Sequence, residues 1–142
     1  MSLAGPVIVI DDDRDDQEIM NDAFNEIGFS NPLIFFDKPG AAMDFLKTTS
    51  ESPFVILSDV NLPQQNGIDF KREIDSIPYL RQKSIPFVFF STYVDKRVVD
   101  TAYKELTIQG FFQKSSNYGE LKNTIKLIIE YWKICKHPNS SY

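Results

Sequence analysis

Acidic, hydroxyl and ammonium side chains stand directly after short apolar runs in this 142-residue chain. In chain order these groups are Asp11 and Asp12 after "VIVI", Asp59 after "VILS", Ser91 and Thr92 after "FVFF", and Lys114 after "GFFQ". Clustered carboxylates repel one another unless a cation lies among them, and hard oxygen ligands favour Mg²⁺. An ionised aspartate is also a nucleophile toward a phosphoryl group, whose charge a metal ion, an ammonium and a hydroxyl donor can balance. The residue types therefore indicate metal-dependent phosphoryl chemistry, provided that the fold brings them together.

The apolar runs alternate with segments whose apolar residues recur at helical spacing. The five runs lie at residues 7–10, 33–36, 54–57, 87–90 and 110–112. Strands that are apolar throughout are typical of a parallel sheet covered on both faces. We therefore predict an α/β fold, a doubly wound parallel sheet of five strands with five helices, and a longer surface connection at "SIPYLRQKSIP". Because parallel strands all point the same way, the groups that follow them are expected to meet at one edge of the sheet.

The bulk composition excludes several classes of protein. The length and a hydrophobic content of 42% fit one domain over residues 1–142, with its core at about 7–135 and no output domain. A net charge of −5 without basic runs argues against direct binding to nucleic acid or to a membrane. Since neither a membrane-spanning stretch nor a signal-peptide pattern is present, we expect a cytoplasmic protein. The single cysteine, Cys135, excludes an intrachain disulfide, and His137 is expected to lie on the surface.

Four motifs carry a resemblance to a known family. "VIVIDDD", "SDVNLPQQNG", "IPFVFFST" and "GFFQK" are weak signals singly, but their order and separations are specific together. On these motifs the sequence resembles the receiver domain of two-component response regulators over residues 7 to 132, and in particular a stand-alone, CheY-like receiver. The resemblance implies a flavodoxin-like sheet with strand order 2-1-3-4-5. It also implies a phosphorelay protein that is no enzyme beyond its own phosphorylation and dephosphorylation.

The resemblance implies roles for individual residues. Asp59 matches the aspartate that accepts a phosphoryl group from a phosphohistidine, and Gly67 follows it at the family's spacing. The Mg²⁺ site of the family corresponds to Asp12 and Asp59 as direct ligands, Asp11 through water, and the backbone carbonyl of Asn61. The phosphoryl-binding groups correspond to Lys114 and Ser91, with Thr92 as the alternative hydroxyl, and the switch pair corresponds to Ser91 and Phe111.

The resemblance also implies partners. The phosphodonor would be a sensor histidine kinase or a histidine phosphotransfer protein. The output would be onward phosphotransfer, or contact of a downstream protein with the face that the family's fourth helix, fifth strand and fifth helix form (α4–β5–α5 in the family's count).

Three other functions compete with this one. A receiver-like module that docks without phosphorylation remains the alternative, although such a module would not need Asp59, Lys114 and the acidic pair together. An aspartyl-nucleophile phosphatase is disfavoured because Asn61 stands where those enzymes typically carry a second aspartate. A nucleotide-binding enzyme is disfavoured because neither G-x-G-x-x-G nor G-x-x-x-x-G-K-[ST] occurs in the chain.

Two positions depart from the family's pattern. Ser115 follows Lys114 where the family usually has a proline, often in a cis peptide bond, so the geometry of this bond is left open. Phe111 stands where a tyrosine is common, and it has no hydroxyl to hydrogen-bond when exposed.

The run "DDDRDD" is expected to divide into two parts. Asp11 and Asp12 end the first strand and are assigned to the metal site. Asp13, Asp15 and Asp16 fall at the start of the first helix, where carboxylates cap free N–H groups and complement the helix dipole. We expect these three to serve only the helix terminus.

Overall fold

The computed structural model describes residues 3–136, so His137 lies outside the described residues. Its five strands are β1 (Val7–Ile10), β2 (Leu33–Phe36), β3 (Val55–Ser58), β4 (Phe87–Ser91) and β5 (Gly110–Gln113). All neighbouring strands pair in parallel, and their order is β2-β1-β3-β4-β5. The predicted doubly wound sheet and its strand order 2-1-3-4-5 are therefore confirmed.

Six helices surround the sheet in the described part of the chain, where five were predicted. They are α1 (Arg14–Glu26), α2 (Pro39–Thr48), α3 (Gly67–Ser76), α4 (Pro78–Lys83), α5 (Lys96–Glu105) and α6 (Tyr118–Ile134). The α4–β5–α5 face in the family's count is therefore the face of α5, β5 and α6 here. No helix among residues 3–136 is long and apolar enough to cross a membrane.

The additional helix is α4, in the stretch that was predicted to be a surface connection. Pro78 occupies its first turn, where the missing N–H is not needed, and Ser84 ends it in a left-handed conformation with φ 51°. The ammonium of Lys83 donates to the backbone carbonyls of Thr49 and Glu51 at 2.9 and 3.1 Å, which ties α4 to the loop after α2. The prediction was wrong here because prolines are typical of surface connections, whereas Pro78 begins a helix.

Two apolar cores lie on opposite faces of the sheet because side chains alternate along each strand. Val7 and Val9 pack with α1 and α6, whereas Ile8 and Ile10 pack with α2, α3, α4 and α5. The strands β1, β3 and β4 are buried along their whole length. Because these strands are packed along their whole length, the residues at their carboxyl ends have fixed positions. The functional groups lie at these ends.

Candidate functional site

The carboxyl ends of β1, β3, β4 and β5 bring the predicted groups to one edge of the sheet. Backbone hydrogen bonds continue the ladder past the strand ends. The N–H of Asp59 donates to the carbonyl of Ile10 at 2.9 Å, and the N–H of Lys114 donates to the carbonyl of Ser91 at 2.8 Å. The backbone beneath each functional side chain is therefore held by a neighbouring strand, which limits how far the site can deform.

Three carboxylates converge at this edge. One oxygen from each of Asp11, Asp12 and Asp59 lies within 4.8 Å of the others, and the three side chains range from buried Asp11 to exposed Asp12. Carboxylate oxygens are the donors that Mg²⁺ prefers, and the exposed side leaves room for the water ligands that this ion keeps. The donor set thus fits a divalent cation of the Mg²⁺ type.

The carboxylate of Asp59 is held in one orientation by donors on both oxygens. Its Oδ1 accepts from the backbone N–H of Val60 at 2.7 Å, from the N–H of Asn61 at 3.3 Å and from the hydroxyl of Ser91 at 2.7 Å. Its Oδ2 lies 3.3 Å from the ammonium of Lys114. With its side chain 12% exposed, Asp59 is oriented by the fold and still accessible to a reactant.

The ammonium of Lys114 is buried among carboxylates. It donates to Asp11 in a short contact and lies 3.3 Å from Asp59 and 3.4 Å from Asp16. Burial alone lowers the pKa of Lys114, but the charge of Asp11, then those of Asp59 and Asp16, outweigh burial and leave this pKa raised. Burial raises the pKa of Asp11, and the ammonium of Lys114 offsets part of that rise. Lys114 is therefore a protonated donor shared among Asp11, Asp59 and Asp16.

The aspartates after Asp12 divide differently from the prediction. Asp13 is the N-cap of α1, and its Oδ1 accepts from the backbone N–H groups of Asp15 and Asp16 at 2.9 and 3.3 Å, as the capping prediction requires. Asp16, however, also reaches Lys114, so the expectation that it serves only the helix terminus is wrong. The spacing carried a signal for this: Asp16 precedes the buried Met20 by four residues and so shares the inward face of α1.

Comparison with known proteins decides the family. The family model for the response regulator receiver domain matches residues 7–126. The chain belongs to this family. Among curated relatives, Response regulator Rcp1 of Synechocystis sp. is 28% identical over 131 residues, which cover 89% of this receiver and 87% of Rcp1. The probable chemotaxis protein CheY of Rhizobium etli is 25% identical over 124 residues, which cover 87% and 91% of the two chains.

Two solved structures resemble this receiver over nearly its whole length. The phosphorylated cyanobacterial phytochrome response regulator RcpA is 25% identical and covers 95% of this chain and 99% of its own, with a TM-score of 0.84. The Mn²⁺-bound form of Rcp1 is 26% identical and covers 94% and 99%, with a TM-score of 0.81. The first of these is thus a phosphorylated protein, and the second holds a divalent cation.

Of the two candidate hydroxyls in this receiver, only Ser91 contacts Asp59 in the described structure. Ser91 is buried at the end of β4, whereas Thr92 is exposed. The backbone carbonyl of Thr92 accepts from the side-chain amide of Gln113 at 3.3 Å. The geometry therefore favours Ser91 as the hydroxyl of the site.

The remaining predicted residues lie close to the site. Asn61 is exposed in the loop after β3, two residues beyond Asp59. Phe111 lies on β5, half-buried, with its ring centroid 5.4 Å from that of Phe89. The roles of the Asn61 carbonyl as a metal ligand and of Phe111 as a switch stay predictions.

The peptide bond between Lys114 and Ser115 is trans, as are the others among the described residues. The hydroxyl of Ser115 donates to Glu120 at 2.7 Å and accepts from the N–H of Asn117 at 3.0 Å. These bonds fix the loop that joins Lys114 to α6.

Gly67 lets the loop after Asp59 fold back on β3. A Cβ at position 67 would overlap the carbonyl oxygen of Asp59 and would lie 3.0 Å from the Cα of Val60. We expect Gly67→Ala to destabilise the receiver by about 1–3 kcal/mol, because the backbone that carries Asp59 must shift. Urea unfolding measures this. Gly40→Ala is the matched control, since nothing lies near its Cβ and alanine is the better helix former; equal stability of the two variants would contradict the prediction.

Proposed function

We propose that this receiver is a stand-alone, cytoplasmic phosphorelay protein that is phosphorylated on Asp59. The observation that carries the proposal is the convergence of four groups on the Asp59 carboxylate. The ammonium of Lys114 and the hydroxyl of Ser91 lie at 3.3 and 2.7 Å, and the carboxylates of Asp11 and Asp12 complete the site. A nucleophile, two charge-balancing donors and a cation-type donor set are the parts that phosphoryl transfer needs.

The proposed reaction transfers a phosphoryl group from a phosphohistidine. An oxygen of the Asp59 carboxylate forms a bond to phosphorus while the bond from phosphorus to the imidazole nitrogen breaks. The electron pair of the broken bond stays on the imidazole, which takes up a proton from water. Lys114 then donates to a phosphoryl oxygen, and its raised pKa keeps it protonated for this role. Hydrolysis of the acyl phosphate restores the free carboxylate of Asp59. The oxygen of a water molecule forms a bond to phosphorus while the bond from phosphorus to the Asp59 oxygen breaks.

A divalent cation fits the proposal through the chain's own oxygen donors. Asp12 and Asp59 would hold Mg²⁺ directly, Asp11 through water, with the backbone carbonyl of Asn61 as a further ligand. When bound, the ion would neutralise negative charge on the oxygens of the transferred group.

Ser91 and Phe111 would convert phosphorylation into a change of surface. In the described state the Ser91 hydroxyl donates to Asp59. A phosphoryl group on Asp59 would carry up to about two negative charges on oxygens that lie further out and accept more strongly, so β4 would follow the hydroxyl toward it. That movement would open space beside Phe89 for Phe111 to pack inward, and the face of α5, β5 and α6 would change for a downstream partner.

A sensor histidine kinase or a histidine phosphotransfer protein would be the phosphodonor, because both carry the phosphohistidine of the proposed reaction. RcpA is described as a cyanobacterial phytochrome response regulator, and its similarity supports assaying kinases with photoreceptor modules first. Phosphotransfer profiling against the histidine kinases of the source organism would identify the partner.

Beryllofluoride with Mg²⁺ mimics the acyl phosphate and tests the proposal without a kinase. We expect ¹H–¹⁵N NMR spectra to change around Asp59, Ser91 and Phe111 and along α5, β5 and α6. The change should require Mg²⁺ and disappear in Asp59→Asn. Spectra that stay the same with both reagents at saturation would exclude a phospho-receiver.

Ser91→Ala tests the switch separately from the chemistry. We expect this variant to bind beryllofluoride still, because Asp59 and Lys114 remain, but to lose most of the chemical-shift change at Phe111. Thr92→Ala decides between the two hydroxyls. If the response of Phe111 is lost in Thr92→Ala and kept in Ser91→Ala, the assignment of Ser91 is wrong.

A further inference from the structure

Lys114 contacts one carboxylate more than the proposed chemistry uses. Asp59 is the acceptor, and Asp11 belongs to the three carboxylates that fit a cation. Asp16 belongs to neither role, yet its Oδ2 lies 3.4 Å from the Lys114 Nζ. Its side chain is only 32% exposed although it belongs to the first turn of a helix at the protein surface. This contact therefore needs an explanation of its own.

Helix capping does not supply that explanation. The N-cap of α1 is Asp13, which accepts from the backbone N–H groups of Asp15 and Asp16. Asp15 offers the helix dipole the same charge as Asp16 from the same turn, but it is exposed. Of the described carboxylates, those within ion-pair distance of the Lys114 Nζ are Asp11, Asp16 and Asp59. What distinguishes Asp16 from Asp15 is thus its contact with Lys114.

We propose that Asp16 is a positioning residue that competes with the phosphoryl group for the ammonium of Lys114. In the resting state the carboxylate of Asp16 occupies part of the donor capacity of Lys114. It is released when a phosphoryl oxygen on Asp59 takes its place. The proposal rests on the proposed function, because the competing anion is the phosphoryl group on Asp59.

Charge determines the direction of the effect. Asp16 and Asp59 each place an oxygen within 3.4 Å of the same nitrogen, well inside the screening length of about 8 Å at physiological salt. Phosphorylation replaces the single charge of Asp59 by that of a phosphoryl group, which carries more negative charge and more acceptor oxygens. The carboxylate of Asp16 beside the phosphoryl group repels it and keeps one N–H donor of Lys114 occupied. Asp16 thus lowers the affinity of the site for an anion.

Asp16 acts on the anion and not on the cation site. The oxygens that fit a divalent cation come from Asp11, Asp12 and Asp59, and Asp16 is not among them. Its removal should therefore change the binding of an anionic phosphoryl mimic much more than the binding of Mg²⁺ alone. A merely structural role would affect both, because both depend on the same strand ends.

The test compares two aspartates of one helical turn. Asp16→Asn and Asp15→Asn remove the same charge from the same end of α1, and only the first removes a contact with Lys114. Isothermal titration with beryllofluoride at saturating Mg²⁺, and with Mg²⁺ alone, gives both dissociation constants for the full chain. We expect Asp16→Asn to bind beryllofluoride about three- to tenfold more tightly than Asp15→Asn, with Mg²⁺ constants that agree within about twofold. Asp16→Glu, which keeps the carboxylate, should behave as the wild type does.

Each outcome decides between the two proposals. If the wild type binds beryllofluoride but Asp16→Asn binds it no more tightly than Asp15→Asn, the competition is refuted while the receiver function stands. Weaker binding by Asp16→Asn would show that Asp16 aims Lys114 at the anion, which also overturns the proposal. A Glu variant that matches the Asn variant would show that the charge is not responsible. If the wild type fails to bind beryllofluoride with Mg²⁺, the receiver function fails, and this inference fails with it.

Discussion

Asp59→Asn is expected to abolish phosphoryl transfer to this receiver. The amide of asparagine has no ionised oxygen, so it forms no acyl phosphate with the phosphorus of a phosphohistidine. The hydrogen bonds from Val60, Asn61 and Ser91 to Oδ1 can be kept by the amide oxygen, so the loop after β3 should remain folded. Transfer of labelled phosphoryl groups from autophosphorylated histidine kinases should fall to background in this variant.

The matched control for this loss is Asp15→Asn, the same substitution at an exposed position of the first turn of α1. It should be phosphorylated as the wild type is. Label in Asp59→Asn at the wild-type level would place the acceptor elsewhere. Asp59→Asn also tests the alternative of a docking module. A downstream partner that binds the wild type and Asp59→Asn equally, with and without kinase, would favour docking without phosphorylation.

Lys114→Met is expected to lower the free energy of unfolding of the metal-free protein more than Gly67→Ala or Lys122→Met does. It removes the ammonium that the buried carboxylate of Asp11 contacts and leaves that charge among Asp59 and Asp16 without compensation. Breaking a buried ion pair by removing one partner costs about 3–5 kcal/mol. Urea unfolding in the presence of a chelator should show a decrease of this size. The deficit should become smaller in saturating Mg²⁺, because a cation that binds the native carboxylates stabilises the native state.

Lys122→Met provides the comparison for this second prediction. Lys122 pairs with Glu26 at 3.0 Å, but the two side chains are 38% and 51% exposed, so the loss should stay below about 1 kcal/mol. Mg²⁺ should not change it. A Lys114→Met variant as stable as the wild type without metal, or one that Mg²⁺ fails to stabilise, would contradict the electrostatic account of this site.

The sheet was predictable because helices cover both of its faces, so that most of its strands are apolar throughout. Residues 7–10 and 33–36 were located to the residue by continuous apolar runs, which few other structures produce. The helix α4 was missed although the sequence allows it, because a residue before proline favours an extended conformation and Ile77 is the extended N-cap before Pro78. Helix boundaries of this kind depend on packing, here on the contacts of Leu80 and Lys83.

The site was predictable where a residue ends a strand and less so where it lies on a helix. Ser91 ends β4, and Asp11, Asp59 and Lys114 each directly follow a strand, so the topology brings these four residues together. The side chain of Asp16 reaches the site because α1 turns this position toward Lys114. The residue at which the helix begins determines which side chains face inward, and α1 begins after its N-cap, Asp13. The four-residue spacing of Asp16 and Met20 indicates that Asp16 lies on the inward face of α1. Asp16 also belongs to an acidic run at the helix terminus, and that position was explanation enough for its charge.

The central claim is that Asp59 accepts a phosphoryl group. Incubation of the full chain with a small-molecule phosphodonor and Mg²⁺, followed by intact mass measurement, tests it most directly. We predict a mass increase of one phosphoryl group that a chelator prevents, and that borohydride reduction converts position 59 to homoserine. The absence of a phosphoryl adduct under these conditions, or homoserine at a position other than 59, would contradict the account.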